Sequence, residues 1–490
     1  LVLQEWAARR PELVTVLSQP NAGQGSARNR GVQHVSATWV TYTDPDDMIE
    51  PDYLSKVAQF IERHPDVPMV ATNRIVWNES SGETRKHPLA AMFKRGDQLV
   101  DLNRYPDYFH GSAPAAFLRT QVIRDHDLRY DERVQPNFED GHFCVRYLFL
   151  TRAEIGFVGT ARYVYRKRAD QSSTLQRSLE DARKFTDVPR HGYLDVLTTA
   201  RQVYGRVPEW LQTFIVYELS FYFTAEMAQS ASQTAATGDV ARQFLATARE
   251  IRSLLDDHVI ENFAVRRLPS LLSSYLLHGL AGRNWTSDHV VLDDYDQRLQ
   301  LVRATYRYVG ARPAEIFLRR GTPVAPTASK TRNVTLFEEV AVVERIAWLR
   351  ADGTFEVRLN GVPLRLTSEW PGTPVTRLRP TALRELAGRG EVSELQGSAP
   401  ASKDSGASRA RRAAALLTRS PLTRARYKEA WVLMDRVHDA DDSGERLFRY
   451  LRDNRPTINA WFVLEKGVPD WDRLAADGYG SRLIAYGGGA

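Results

Sequence analysis

The chain has 490 residues, 43% hydrophobic and 26% charged, which is the composition of a globular protein with room for two to four domains. Its single cysteine, Cys144, excludes a disulfide framework and favours a reducing compartment. The net charge of +6 suits an anionic partner, but it is too modest to indicate nucleic-acid binding, which we do not expect. Without a long apolar run or a signal peptide, neither a membrane span nor export is predicted.

The first 170 residues alternate short apolar runs with amphipathic ones. The runs ELVTVLSQ, ATWVTYTD and VPMVATNRIVW are typical of strands, and GQGSARNRGVQHVS and PDYLSKVAQFIERH of helices. This alternation predicts an α/β domain over residues 1–170 with a largely parallel sheet.

The remaining residues divide into four stretches of different pattern. Helical spacing, as in EWLQTFIVYELSFYFTAEMAQ, predicts a helical domain over residues 171–330. Short alternating runs separated by the turns ADGT and LNGV predict a small β module over 331–385. Residues 386–428 are rich in Ser, Ala, Gly and Arg and are predicted to form a basic linker. A second α/β domain is predicted to start at 429 and to continue to 490.

Three carboxylates follow the strand TWVTYTD within four residues. Ligands bind at such strand ends, and Mg²⁺ or Mn²⁺ held by one or two carboxylates offsets the charge of a diphosphate. Asp44 and Asp46 have the spacing for that metal site. An acidic helix start, in which Asp47 or Glu50 favours the positive end of the helix dipole, explains the cluster equally well.

A Gly-rich turn leads from the first predicted strand into a short helix. Asn21 and Gly23 lie in the turn and Arg28 in the helix, where backbone N–H groups and the guanidinium are suited to a phosphate. A tight strand-to-helix connection requires the same Gly and Asn without any ligand.

An acidic pair opens the apolar helix in PNFEDGHFCVRYLF. Transfer to a hydroxyl acceptor needs a carboxylate that takes the acceptor proton, and Asp140 is the candidate base, with Glu139 supporting it. A helix N-cap is the commoner role of such an aspartate. In YFHGSAPAAF, His110 is a candidate contact of the donor sugar, although a structural role in the loop is the alternative.

These segments together resemble the family 2 glycosyltransferases over roughly the first 165 residues. The resemblance is carried by QPNAGQGSARNRGVQHVSATWVTYTDPDD followed by FEDGHFCVRYL, that is, an A-R-N-x-G turn, a strand ending in D-x-D-D and an E-D pair before a helix. It implies a GT-A (Rossmann-like) fold and an inverting sugar transfer from a nucleotide-sugar donor, most commonly a UDP-sugar. The implied site has Asp140 as catalytic base, Mg²⁺ or Mn²⁺ at Asp44 and Asp46, and the donor near Asn21, Gly23 and Arg28.

The family pattern also includes an earlier strand and an aspartate that holds the nucleobase. Neither precedes Leu1. We therefore expect a GT-A domain that is truncated at its N-terminus, and a fragment of these residues that is poorly active or inactive.

The last 60 or so residues, from YKEAWVLMDRV onward, resemble the opening of the CDP-glycerol glycerophosphotransferases, the teichoic acid polymerases. The resemblance implies the first βαβ of a GT-B domain, with a possible glycerophosphotransferase activity in the full-length protein. A transferase fused to such a domain implies synthesis of a wall polymer, with a lipid-linked polyol-phosphate or glycan acceptor. The expected location is the cytoplasm, peripheral on the inner face of the cell membrane.

A non-catalytic role is the alternative to the enzyme. In that interpretation the GT-A remnant and the helical region are a scaffold or membrane-docking module for the C-terminal polymerase. The basic linker supports membrane docking, since each well-placed Lys or Arg contributes about 1 kcal/mol at an acidic bilayer.

Overall fold

A computed structural model describes most of the chain. The described residues are 2–169, 177–227, 234–296, 299–350, 352–367, 425–435, 440 and 443–486. They belong to two compact units, residues 1–395 and 396–490.

The first unit begins with an α/β region. Its helices are α1 (Val2–Arg9), α2 (Gly23–Val32), α3 (Tyr53–Arg63), α4 (Thr120–Asp125) and α5 (Glu139–Phe149). Its strands are β1 (Trp39–Val40), β2 (Met48–Ile49), β3 (Met69–Asn78), β4 (Thr84–Lys86), β5 (Gln98–Asp101), β6 (Ala116–Arg119) and β7 (Glu154–Lys167). The predicted mixed α/β class is therefore confirmed.

The sheet of this region has the order β1-β6-β3-β7-β2, with β4 beside β3 and β5 beside β7. Only the pair of β3 and β7 is parallel among these described strands. The prediction of a largely parallel sheet is wrong, because residues 12–19 form no ladder with any described strand and leave Val16 and Leu17 partly exposed. The run ATWVTYTD contributes just the two residues of β1, which pair antiparallel with β6.

Each face of the sheet packs on helices. On one face, Tyr53, Val57 and Phe60 of α3 are buried against alternate residues of β3 and β7 such as Val70 and Val158. The opposite face joins a larger core that extends through α5 into the following helices. Alternation of buried side chains along a strand produces this two-sided burial.

Helices follow the sheet and share its core. They are α6 (Ala182–Asp187), α7 (Asp195–Tyr204), α8 (Glu209–Met227), α9 (Gly238–Arg252), α10 (Asp257–Glu261) and α11 (Ser270–Ser274), with wider π-helical turns at Val188–Leu194 and Tyr275–Gly279. A single cluster of buried residues runs from Val32 to Val342, so this region has no separate core. Among the residues described, no helix combines the length and apolarity needed to cross a bilayer.

Strands begin earlier than the sequence predicted. The expected helical stretch to residue 330 is corrected to about 280, because HVVLDDYD and LVRATYRYV alternate polar and apolar residues with a period of two and form strands. The strands are β8 (Trp285–Thr286), β9 (His289–Asp296), β10 (Leu301–Val309), β11 (Glu315–Arg319), β12 (Thr322–Val324), β13 (Ala328–Leu336), β14 (Glu339–Arg350), β15 (Phe355–Leu359), β16 (Val362–Pro363) and β17 (Arg365–Thr367). They form a six-stranded and a four-stranded sheet whose apolar side chains make one core.

The second unit is a small α/β arrangement. Strands β18 (Trp431–Leu433), β19 (Ala460–Leu464) and β20 (Leu483–Ala485) are parallel in that order, with helices α12 (Ser443–Asn454) and α13 (Pro469–Leu474) between them. The βαβ predicted here is thus present and continues by one more helix and strand. Residues 368–385 of the predicted β module and 386–424 of the predicted linker lie outside the described residues.

Candidate active site

The acidic segment after β1 is a β-turn. The Asp47 N–H donates to the Asp44 carbonyl over 3.1 Å, which closes the turn around Pro45 and Asp46. Aspartate at the first position and proline at the second are the residues that a common β-turn prefers. The turn therefore presents three carboxylates from a short, locally stabilised loop.

Arg28 joins this turn to the predicted base. One guanidinium nitrogen, Nη2, lies 2.8 Å from Asp44 Oδ1, and Nη1 is hydrogen-bonded to Asp140 Oδ1. The same Nη1 is 3.8 Å from Glu139 Oε1. Helix α2 holds Arg28 with a side chain only 9% exposed, and Arg28 contacts Asp140, which is 112 positions away in sequence.

The environment raises the pKa of Arg28 and of both carboxyl groups of the acidic pair. Burial opposes the guanidinium charge, but Asp140, Asp44 and Glu139 outweigh it and raise the pKa of Arg28. Burial also raises the pKa of Asp140, and Arg28 counteracts that rise. The pKa of Glu139 is raised by burial and then by the neighbouring Asp140 charge. A carboxylate with a raised pKa is a better proton acceptor, as general-base catalysis requires.

The other two carboxylates of the turn contact the end of β7. Asp46 Oδ2 accepts from Arg168 Nε over 2.8 Å. Asp47 accepts from the Tyr163 hydroxyl at 2.8 Å and from the Arg166 N–H at 2.9 Å. These two hydrogen bonds hold the Asp47 carboxylate within the protein, and burial raises its pKa.

Asp44 and Asp46 fit a metal ion that is shared with a substrate. Each gives one oxygen to an arginine, and their side chains remain 27% and 23% exposed. Within the described ranges, no three His, Cys, Asp or Glu side chains are grouped to hold a metal alone. Mg²⁺ is commonly bound by one or two carboxylates that are completed by substrate phosphates and water.

Asn21 and Gly23 lie at the exposed start of α2. The Gly23 N–H donates to Asn21 Oδ1 over 3.1 Å, and Gly23 has a φ of +87°, which glycine adopts without strain. Asn29, further along the same motif, is bonded within the protein, because its side-chain amide exchanges two hydrogen bonds with the backbone of Tyr130. Asn21 and Gly23 therefore shape the turn, and their contact with a donor stays a prediction.

His110 is buried in the loop before β6. Its Nε2 lies 2.8 Å from the Ser112 carbonyl oxygen, and burial lowers its pKa to about 4. A neutral, buried imidazole bonded to its own loop matches the structural alternative that the sequence left open. Its assignment to the donor stays a prediction.

The backbone that carries the base is strained and enclosed by aromatic rings. Phe138, directly before Glu139, has a φ of +74°, a left-handed conformation uncommon for a residue with a side chain. Its ring packs on Tyr193 and Phe214 at centroid distances of 4.5 and 5.6 Å. A Cβ on Gly192 would lie 2.8 Å from that ring, so this glycine makes the close approach possible.

The helical region also supports the base helix and the His110 loop. His142 of α5 is buried and its Nε2 lies 2.8 Å from Asp195 Oδ2 at the start of α7. Phe214 of α8 stacks on Phe109 at 4.6 Å, and a Cβ on Gly111 would overlap its ring. The position of the predicted base thus depends on helices distant in sequence from the acidic turn.

Several side chains around the site were not among the residues predicted for it. Tyr42 and Tyr130 place their rings 5.8 and 5.4 Å from the Arg28 guanidinium, and Tyr163 donates to Asp47. Tyr163 alternates with Tyr165 in a strand, and this period-two pattern is the signal that could have placed its hydroxyl on one face. Tyr130 is in a loop and carries no comparable signal.

Comparison with known proteins identifies the class of this region. Residues 2–127 match the family model described as glycosyl transferase family 2. This part of the chain is therefore a family 2 glycosyltransferase domain, as the motifs predicted.

The individual relatives share about a quarter of their aligned residues with this chain and are longer than it. The minor teichoic acid biosynthesis protein GgaB of Bacillus subtilis is 23% identical over 348 residues, which are 69% of this chain and 34% of that protein. GgaA of the same organism is 25% identical over 214 residues, covering 43% of this chain and 47% of GgaA. The chain thus spans between a third and a half of the length of these relatives. The crystal structure of Staphylococcus aureus TarS 1–349 covers 56% of this chain and 72% of its own at 17% identity, with a TM-score of 0.40 that is too low to support a shared fold.

Proposed function

We propose that the first unit transfers a sugar from a nucleoside-diphosphate donor to a hydroxyl acceptor with inversion, in the synthesis of a teichoic-acid-like wall polymer. The observation that carries the proposal is the bridge of Arg28 between Asp44 and Asp140. Through this bridge, the acidic turn proposed to bind the metal and the donor diphosphate lies next to the proposed base. The family 2 match and the teichoic acid relatives support the same activity.

In the proposed reaction Asp140 takes the proton of the acceptor hydroxyl as that oxygen attacks the sugar. Arg28 orients the Asp140 carboxylate and counteracts the burial that raises its pKa, while Glu139 lies beside it, 3.8 Å from the same guanidinium nitrogen. The donor diphosphate would lie against Asp44 and Asp46, near the guanidinium of Arg168. Bound there, Mg²⁺ or Mn²⁺ would offset the charge that develops on the leaving diphosphate.

The wider context is also a proposal. A UDP-sugar is the expected donor, and a lipid-linked polyol-phosphate or glycan is the expected acceptor at the inner face of the cell membrane. The second unit is proposed to open a CDP-glycerol glycerophosphotransferase domain of GT-B type, which its parallel βαβαβ arrangement supports.

The test compares Asp140→Asn with wild type in the full-length protein. Transfer of radiolabelled sugar from UDP-sugars to a polyol-phosphate acceptor is measured with Mn²⁺ present. Loss of the base is expected to reduce turnover roughly 10²- to 10⁴-fold, the usual contribution of general acid–base catalysis. Asp52→Asn is the matched control. The Asp52 side chain is 55% exposed, and among the described residues its one ion pair is with Lys56.

Undiminished turnover of the Asp140→Asn protein would refute the assignment of the base. If acceptor polymer binds without any metal-dependent nucleotide binding, the alternative of a non-catalytic scaffold replaces the enzyme.

A further inference from the structure

The second unit carries a group of arginines at the amino ends of its strands. Asn459 directly precedes β19, Arg482 directly precedes β20, and Arg426 lies shortly before β18. Because the three strands are parallel, these residues lie at one edge of the sheet. Open parallel sheets bind ligands in the crevice beyond the carboxyl ends of their strands, so this edge is the one opposite to such a crevice.

The Asn459 side chain holds this edge together. Its amide nitrogen donates to the carbonyl oxygens of Arg426 and Lys428 over 2.9 and 3.0 Å. Its amide oxygen accepts from Arg482 Nη1 over 2.8 Å and from Trp461 Nε1 over 2.9 Å. These four hydrogen bonds use the full capacity of a side-chain amide. The segment before β18 and the start of β20 are therefore fixed to the same point of β19.

Trp461 is the surface on which two of the arginines stack. It is 2% exposed, and by the alternation of a strand its ring lies on the opposite face of β19 from Phe462, which belongs to the core under α12. The guanidinium carbons of Arg426 and Arg482 each lie 5.0 Å from the centroid of the Trp461 ring. Stacking uses the flat face of a guanidinium and leaves the N–H groups at its edge for other partners.

A third arginine adds its charge to this edge. Arg452 lies in the last turn of α12, and its Nη1 is buried without a hydrogen-bond partner in the described part of the chain. Burial, followed by the charges of Arg452 and Arg426, lowers the pKa of Arg482. No carboxylate oxygen of the described residues lies within 4.0 Å of a nitrogen of these three guanidinium groups. Asp453, next to Arg452 in sequence, instead accepts from the Tyr479 hydroxyl at 3.0 Å.

The chemistry of this arrangement suits a phosphate group. Like charges held close together repel one another, and an anion beside them offsets that repulsion. A phosphate offers several acceptor oxygens and up to two negative charges, so it can accept from more than one guanidinium at once. A single carboxylate has two oxygens and one charge, which one arginine satisfies.

We propose that Arg426, Arg452 and Arg482 form a phosphate-binding site at the amino edge of the second unit. Arg426 and Arg482 are oriented by the indole ring and donate to the phosphate oxygens, and Arg452 adds its charge. The site lies in a different unit from the proposed sugar transfer and does not depend on it. A dissolved phosphate compound and the headgroup of an acidic lipid carry the same group, and the experiment separates these two sources.

The experiment measures binding by the whole chain without divalent metal. Pyrophosphate is titrated calorimetrically, and vesicles of phosphatidylglycerol or of phosphatidylcholine are tested by co-sedimentation. Arg426→Gln and Arg482→Gln are each expected to weaken binding of pyrophosphate or of the phosphatidylglycerol vesicles about tenfold or more, as loss of a charge-assisted hydrogen bond does. Arg446→Gln is the control, because it removes the same charge from an exposed position of α12, and its affinity should stay within twofold of wild type.

The two probes identify the source of the phosphate. Binding of pyrophosphate alone, weakened by both substitutions, supports the site and indicates a dissolved ligand, and the same result with phosphatidylglycerol vesicles indicates a lipid headgroup. A wild-type chain that binds neither probe would overturn the proposal, and so would a folded variant of Arg426 or Arg482 that binds like the control. If Arg482→Gln does not fold, Arg426→Gln, at an exposed residue, is judged by the same tenfold criterion.

A further variant excludes the acidic turn of the first unit as the place where pyrophosphate binds. Arg168→Gln removes the arginine that pairs with Asp46 and leaves the second unit unchanged. It should bind pyrophosphate as the wild type does. Loss of binding in Arg168→Gln, with binding retained in Arg426→Gln, would place the anion in the first unit and overturn the proposal.

Discussion

The two groups of carboxylates in the candidate site are held in opposite ways. Asp44 and Asp46 lie on a turn, keep about a quarter of their surface exposed and contact arginines that could be replaced by ligand interactions. Glu139 and Asp140 open a helix whose first residues are enclosed by rings from the helical region. The difference fits the proposed roles, since a donor-binding group has to accommodate exchange of a charged ligand, whereas a base has to keep one position.

The largest effect is expected when an aromatic ring beside the helix start of Glu139 and Asp140 is removed. Phe214→Ala deletes a ring that contacts Phe109, Phe138 and the Gly111 loop, and large-to-small changes of a buried phenylalanine cost about 3–5 kcal/mol. Chemical denaturation measures the loss, and sugar transfer should fall with it. Phe221→Ala on the same helix is the control, because its ring is 39% exposed and should cost far less. Equal losses for both variants would contradict a special role of the ring at 214.

Removing Arg28 should break the link between the two groups. Arg28→Met keeps the length of the side chain but leaves Asp44, Glu139 and Asp140 without their shared cation, which costs about 3 kcal/mol in a buried setting. Thermal and denaturant unfolding measure this effect. Arg30→Met on the same helix should be nearly neutral, because Arg30 donates only to the Ser18 carbonyl among the described hydrogen bonds. A stability of Arg28→Met equal to wild type would show that the bridge contributes nothing to folding.

The smallest effect is expected on the turn. Tyr163→Phe removes a hydroxyl that lies between Asp47 Oδ2 and the Asp44 N–H, and the loss of such a hydrogen bond costs about 1 kcal/mol. Tyr165→Phe on the same strand provides the comparison. Because the turn is also closed by its own backbone bond, metal-dependent nucleotide binding should weaken only a few-fold. Complete loss of nucleotide binding would show that the turn is as rigidly organised as the base.

The sequence predicted the chemical groups of the site better than their surroundings. The acidic turn and the acidic pair lie in short motifs, so their residue types were evident without the fold. Arg28 and Asp140 are 112 positions apart, and the ring of Phe214 reaches Phe138, next to the acidic pair, from a different helix, so neither contact has a local signal.

The lack of a local signal also explains the errors in the predicted fold. A run such as ELVTVLSQ has strand propensity, but a strand forms only beside a neighbour, and none of the described strands pairs with residues 12–19. The strands β9 and β10 were overlooked because their alternating pattern follows a long helical stretch. Boundaries between patterns are decided by packing, which a single sequence does not display.

The shared core of the sheet and the helices has a practical consequence for protein engineering. A chimera that joined this sheet to another helical region at residue 170 would separate Phe138 from Tyr193 and Phe214. A junction after Gly279 would cut the same core, because Phe337, directly after β13, packs on Phe185 and Phe244 of the helical region. The sheet, the helices and the hairpin of β13 and β14 would therefore have to be exchanged as one piece.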